Sequence, residues 1–393
     1  MKILVTSMID IETSAHNRLH QFLEYLSREH DVTVVSISDQ WKIKHECDSQ
    51  TQPDNFLDTH PNISVYHYTK RHLSPIIQEV LSPVYIHLNL RDIDFSSFDV
   101  HYNYNGMFGG YAITKLLSKY QIPSVYDIAD NLPAMLQTSP QLPKNLRPLA
   151  GFVGNFIYSK NIQHSKQITV TTRGLGLISN VPENKMIVVP NGVDTALFRE
   201  MEKNTVIRKD LGLDDAFVVG YVGVLREWVD FEALLKAVKD LKTTLQLKVL
   251  IVGGGPEREK LNKLTEELGI KDVVVFTGNV PYNQVPDYIS AMDVCTIPFK
   301  TDRVAKDSLP LKLFEYMACG KPVISSKIDV ILEEMSHIVC CCETPEEYEE
   351  SIMKYYHNKN LLDTCGKAGQ KYVSENYTWK SISNLLESVL KEV

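Results

Sequence analysis

No stretch of the 393-residue chain approaches the ~18 consecutive apolar residues of a membrane span, so any membrane contact is expected to be peripheral. The opening run, Met1 to Asp10, is too short and too soon charged (Asp10, Glu12) for a signal peptide. None of the 7 cysteines forms a C-x-x-C pair, which argues against a zinc knuckle and favours a reducing, cytoplasmic location. Basic residues are in deficit: 41 Lys and Arg against 49 Asp and Glu give a net charge of −8, a poor balance for nonspecific nucleic-acid binding. The glycine turn Gly253-Gly-Gly-Pro256 lacks the following Gly-Lys-Ser/Thr of a P-loop, which disfavours an ATPase. No Asp-x-Asp triplet stands at a credible strand end, and no metal ligand set is expected.

What is present is a globular composition, 44% hydrophobic and 23% charged, over a length that suits two domains. Short β-rich runs alternate with amphipathic stretches, the pattern of parallel βα units. Strands are expected at 2–6, 32–37, 63–66, 100–104, 124–128, 167–171 and 186–189 in the first half. In the second half they are expected at 217–223, 248–252, 273–277, 294–298, 322–325 and 338–341. Helices are expected at 14–28, 109–119 and 257–268, the last with a stripe of Leu261, Leu264 and Leu268. The expected division is 1–195, 196–375 and a final helix over 376–393. The seam near Val189-Pro-Asn-Gly-Val-Asp194 is marked by an Asn-Gly turn. Cys340 to Cys342 read as a buried strand using Cys as a small hydrophobe.

The richest segment runs from Asp307 to Pro322, with carboxylates eight positions apart at Asp307 and Glu315. Ser308 is a good N-cap residue, Pro310 suits a first turn, Gly320 suits a left-handed C-terminal stop, and Pro322 blocks continuation. The start of such a helix, at Ser308, Leu309, Pro310 and Leu311, offers N–H groups and partial positive charge to an anion. Lys312 adds a full charge there. Glu315 lies five residues beyond Pro310, about 7 Å along the axis at 1.5 Å per residue. That is the spacing between a diphosphate and the ribose that carries it. One short helix could therefore hold a nucleoside diphosphate, with ribose hydroxyls on Glu315 and Asp307 facing the group beyond the far phosphate.

This segment resembles the E-x7-E motif of retaining GT-B glycosyltransferases, the group that includes glycosyltransferase family 4. Asp307 stands in place of the first Glu, and the run Leu313 to Ser326 follows the family closely. Asn191-Gly-Val-Asp194 resembles the family signature between the two domains. The resemblance implies an α/β fold of two Rossmann-like domains with parallel sheets facing each other across a cleft, an N-terminal acceptor-side domain and a C-terminal nucleotide-sugar domain. It implies transfer of a sugar from a UDP- or GDP-sugar, as substrate rather than cofactor, to a glycan, lipid-linked or other hydroxyl acceptor. Retention of anomeric configuration, a metal-independent mechanism, a cytoplasmic protein with peripheral contact at the inner membrane face, and no nucleic-acid partner also follow.

The resemblance further implies donor contacts at Gly223, in the loop after the first C-domain strand, at the Gly253 turn, and at Gly278, Asn279 and Val280 beside the base. The family's Arg after the second loop glycine is replaced by Val224, so Arg226 or Lys312 must meet the diphosphate. Lys300 to Lys306 is expected to be a polar loop near the donor, and Trp228 either covers it or packs. In the first domain Asp130, at a strand's C-terminal end, is favoured over Asp127 as the residue facing sugar or acceptor. The basic and apolar stretch Lys144 to Lys166 is a candidate membrane contact, against its packing as an ordinary helix. Two other classes fit the same fold: a nucleotide-sugar 2-epimerase-like isomerase, and a nucleotide-sugar-binding protein without catalysis.

Overall fold

The computed structural model describes residues 1–14, 16–38, 56–69, 73–138, 142–300 and 309–393. They form two compact units, Met1–Pro190 with Trp379–Val393, and Asn191–Thr378. The division falls after Pro190, five residues before the boundary read from sequence.

The first unit is a seven-stranded sheet: β1 (Lys2–Ser7), β2 (Asp31–Ser36), β3 (Ile63–His67), β4 (Val100–Tyr104), β5 (Ser124–Ile128), β6 (Gln167–Val170) and β7 (Met186–Val188). Their order is β3-β2-β1-β4-β5-β6-β7, every pair parallel. β4 and β5 are buried at all five positions, as befits central strands covered on both faces. A buried ion pair ties this unit together. The Arg18 guanidinium lies 3.3 Å from Asp127 and donates to the carbonyls of Val189 and Pro190 at 2.6 Å each. Thr169 donates to the same carboxylate. The last helix, Trp379–Glu392, packs on the helix Arg18–Leu26, with Trp379 edge-on to Phe22 and Glu387 2.7 Å from His30. That first helix begins at Arg18 rather than at residue 14, because the Asn17 side chain accepts from the Leu19 N–H and sets the cap.

The second unit is a six-stranded parallel sheet: β8 (Phe217–Val222), β9 (Leu247–Val252), β10 (Val274–Gly278), β11 (Val294–Ile297), β12 (Val323–Ser326) and β13 (Cys340–Cys342), in the order β10-β9-β8-β11-β12-β13. β8 lies inside the sheet and is buried at every position. β13 is an edge strand, so Cys340 and Cys341 are only partly buried and Cys342 alone is fully so. Among the described residues no helix is long and apolar enough to cross a membrane.

Candidate active site

The helix Leu311–Ala318 lies against the C-terminal end of β8. Tyr316 fixes it there: its hydroxyl accepts from the Val222 N–H at 2.7 Å and donates to the Val222 carbonyl at 3.2 Å. The helix starts later than its sequence suggests. Pro310 is the cap residue, at φ −70° and ψ 139°, so neither Ser308 nor a first-turn Pro310 begins it. The residue before a proline is driven out of the α region, and Leu309 accordingly runs in from outside the helix. Asn191 holds that approach by donating to the Leu309 carbonyl at 2.8 Å. Asp194 caps the turn that follows Asn191, accepting from the Ala196 N–H at 2.8 Å. The Leu313 N–H turns back to the Pro310 carbonyl, and those of Leu311 and Lys312 have no intrahelical acceptor. At the other end Gly320, at φ +68°, allows the Lys321 N–H to reach the Tyr316 carbonyl at 3.0 Å and its own N–H to reach Met317 at 2.9 Å.

Lys312 leaves the first turn and crosses the end of β8. Its ammonium donates to the Tyr221 hydroxyl at 2.7 Å, sits 4.2 Å from the centre of that ring and 5.2 Å from that of Phe299. Tyr221 in turn donates to the Val224 carbonyl at 3.2 Å. Gly223 makes room, because a Cβ there would overlap the ammonium. Its φ of +145° is a second reason for glycine. Gly253, at φ +127°, donates to the Gly278 carbonyl at 2.8 Å, and a side chain on it would strike the Gly223 carbonyl. Three strand ends therefore meet backbone to backbone beside Lys312. Burial lowers the Lys312 ammonium to about 7. No carboxylate lies in hydrogen-bond contact with it among the described residues, so a bound anion is its natural counter-charge.

Glu315, one turn on, accepts from the Tyr282 hydroxyl at 2.9 Å, and burial raises its carboxyl to about 6. The Tyr282 ring stands edge-on to Phe198, with centroids 5.5 Å apart. Asn279 is exposed, next to Gly254, and Val280 is packed on the core. The structure thus brings Lys312, Gly223, Gly253 and Gly278 together, with Glu315 behind Lys312 on the same helix.

Arg226 is placed otherwise. It is exposed, its guanidinium 5.4 Å from the centre of Trp228, and it lines a cavity of about 340 Å³ with Glu257 and Lys260. Trp228 is partly buried against the core, and its carbonyl accepts from the Lys300 N–H at 2.8 Å. Asp307 and Ser308 lie outside the described residues, as do 301–306.

In the first unit Asp130 follows β5 and is exposed; Asn105, at φ +50°, donates to its carboxylate at 3.0 Å. Asp127 is fully buried in the Arg18 pair, so the two acids divide between surface and core. The Asp92-Ile-Asp94 triplet precedes β4, at the wrong end of a strand for a ligand edge, and Asp94 caps the Ser96 N–H. Sequence reasoning missed three groups. Tyr282 and Asn191 support Glu315 and the helix entry; the sequence marks Asn191 only as part of a turn at the domain seam and does not single out Tyr282. The third is Asp10, Glu12 and His67, a set with metal-ligand spacing in which His67 Nε2 meets Glu12 at 2.7 Å.

The whole chain superposes on Anabaena HepE solved with UDP, with a TM-score of 0.73 and 18% identity over 100% of both chains. It matches sucrose-phosphate synthase from Thermosynechococcus elongatus with a TM-score of 0.74 and 16% identity, covering 100% of this chain and 98% of that one. Two Rossmann-like domains with parallel sheets match the GT-B fold. Residues 203–391, a stretch that includes Lys312 and Glu315, match the family described as glycosyl transferases group 1. An uncharacterized glycosyltransferase of Methanocaldococcus jannaschii is 27% identical over 58% of this chain and 53% of its own length. A GDP-mannose-dependent α-(1-6)-phosphatidylinositol monomannoside mannosyltransferase of Mycobacterium tuberculosis is 25% identical over 53% and 57%. The chain thus aligns with about half the length of these relatives.

Proposed function

We propose that this protein is a glycosyltransferase that moves a sugar from a nucleoside-diphosphate sugar to a hydroxyl acceptor on a glycan or lipid-linked molecule, with retention and without a metal ion. The observation that carries this reading is the Lys312 ammonium. It is held on a helix N-terminus over Tyr221, in space that Gly223 keeps open. HepE was solved with UDP and with UDP-glucose, and the mycobacterial relative is named for GDP-mannose; a nucleoside diphosphate sugar is the chemistry they share.

In this reading the diphosphate lies on the Leu311 and Lys312 N–H groups and the Lys312 ammonium. Glu315, steadied by Tyr282, accepts the ribose hydroxyls. Gly223, Gly253 and Gly278 let the nucleotide approach the backbone, and Asn279 and Val280 flank the base. Asp307 meets the donor sugar, and Asp130 serves the acceptor side. As the glycosidic bond to the diphosphate breaks, negative charge grows on the leaving phosphate, which takes up the acceptor's proton on the same face. Preorganised N–H groups and one ammonium stabilise that charge, work a divalent ion does elsewhere. Arg226 is exposed beside Trp228, and a contact from it to the diphosphate needs the loop to turn when donor binds.

Transfer followed by NMR in excess EDTA tests the reading. Product with the donor's anomeric configuration is expected. Lys312→Ala should lower kcat by about 10²–10³-fold, the usual cost of one such donor, with a smaller effect on donor affinity. Activity lost on chelation and restored by magnesium or manganese would contradict it.

A further inference from the structure

The C-terminal ends of β1, β2 and β3 lie level, with Ser7, Ser36 and His67 in register across the three strands. In parallel α/β sheets that edge is where ligands gather. His67 ends β3, and Asp10 and Glu12 stand in the turn that follows β1. Side chains from both flanking strands therefore meet over the end of β2, the strand between them. One ligand atom from each of the three residues lies within 4.8 Å of the other two. His67 Nε2 is 2.7 Å from Glu12 Oε2 and 3.8 Å from Asp10 Oδ1. A tetrahedral zinc ion, with bonds of about 2.0–2.2 Å, spaces its ligand atoms roughly 3.3–3.6 Å apart, so small side-chain shifts would seat it.

The imidazole is oriented from outside the trio. Its Nδ1 is 2.9 Å from the Ile37 carbonyl and 3.1 Å from the Ser36 hydroxyl oxygen. That hydroxyl donates its own proton to the same carbonyl at 3.0 Å. Both neighbours can then only accept, and Nδ1 carries the hydrogen. The neutral ring turns its Nε2 lone pair towards two carboxylates, an arrangement that repels unless a cation stands between them. One ring nitrogen donating to a backbone carbonyl, with the other bare, is the usual state of a metal-bound His. The two acids are positioned as well. Ile11 between them is buried, and its carbonyl accepts from His20 Nε2 at 2.9 Å. Asp10 is buried and Glu12 exposed, so the trio is closed on one side and open to solvent on the other.

We propose that Asp10, Glu12 and His67 bind a zinc ion, with water in the fourth tetrahedral position. Two carboxylates balance the charge of the ion, and one imidazole with two oxygens suits its ligand preference. The ion ties the turn after β1 to the end of β3 and stabilises the first unit. Magnesium, which demands octahedral oxygen ligands, is a poor fit. The inference goes beyond the donor reading: none of the three residues is assigned to the nucleotide sugar, and the ion takes no part in the transfer at Lys312.

The test reads ion binding, not transfer, so its outcome is separate from that of the donor reading. The full chain, stripped with EDTA and freed of it, is titrated calorimetrically with zinc chloride, and bound cobalt(II) is followed by its visible spectrum. One ion per chain is expected at this site, with a tetrahedral cobalt spectrum free of the thiolate charge-transfer band that the cysteines would give. Zinc should raise the unfolding temperature and magnesium should not. Glu12→Gln and His67→Gln should each weaken zinc binding by more than the roughly 10–100-fold that loss of a ligand's outer partner costs. The exposed Glu12→Gln change should leave the unfolding temperature in EDTA at the parent's. Parent-like zinc affinity in either variant overturns the proposal, as does a cobalt spectrum dominated by thiolate bands. Absence of zinc binding, with His67 titrating as an imidazolium against Glu12, also overturns it and leaves an ion pair in its place.

Discussion

Lys312 and Glu315 are neighbours on one helix whose ordinary charge states burial disturbs in opposite senses, the ammonium down to about 7 and the carboxyl up to about 6. A nucleotide sugar has no titrating phosphate in that range, so its affinity reports these two groups. Bound diphosphate raises the Lys312 value. Affinity is therefore full below pH 7 and declines as pH rises through it, approaching tenfold per unit. Ribose hydroxyls need the ionised Glu315, so affinity also declines as pH falls through about 6. Calorimetry across this range should give a maximum between the two limbs; a flat profile from pH 6 to 8 would exclude Lys312 as the diphosphate's partner. Gly223→Ala probes the same spot sterically. Its Cβ would meet the ammonium and its φ is +145°. Backbone strain there should cost about 1–3 kcal/mol in denaturant unfolding and donor affinity should fall with it. The contact was illegible in the sequence: Lys312 and Tyr221 are 91 residues apart, and nothing in local pattern pairs them. Glu315 was legible because helix rise and a cap signal act within one segment.

At the scale of elements, all thirteen strands among the described residues were readable, since most are short runs of β-branched, aromatic or other apolar residues between turn residues. Helix starts were less so. The first helix was expected from residue 14 and the donor helix with Pro310 in its first turn, yet Asn17 and Pro310 stand at their caps. The helix Pro75–Asn89 escaped notice altogether; Pro83 lies inside it, and its exposed face is apolar instead of charged. End signals served better in the helix Leu311–Ala318, where a left-handed stop was expected at Gly320 and stands at φ +68°. Gly320→Ala should cost about 1–2 kcal/mol, read from the unfolding midpoint, by forcing a Cβ into the left-handed region. Donor affinity at Lys312 and Glu315 should hold as long as the helix stays in place; a fall of tenfold would mean that the helix shifts as a body.

At the scale of the molecule, the two compact units can be probed separately. In the first, Arg18 is buried and ties the Asp127 carboxylate to the carbonyls of Val189 and Pro190. Asp127→Ala takes the carboxylate away from that buried guanidinium, which should destabilise the unit by about 3–5 kcal/mol. Hydrogen exchange should show the loss within Met1–Pro190, while nucleoside diphosphate binding by Asn191–Thr378 persists. The claim at the centre is that the second unit binds the donor's diphosphate on a helix start and one ammonium. Titration calorimetry of UDP- and GDP-sugars in excess EDTA tests it most directly, with the parent protein beside Lys312→Ala and Glu315→Ala. The account predicts binding of at least one donor without metal, weakened about tenfold or more in each variant, since each removes a partly buried charged contact. Binding that appears only with added magnesium or manganese, or that both variants leave unchanged, would contradict it.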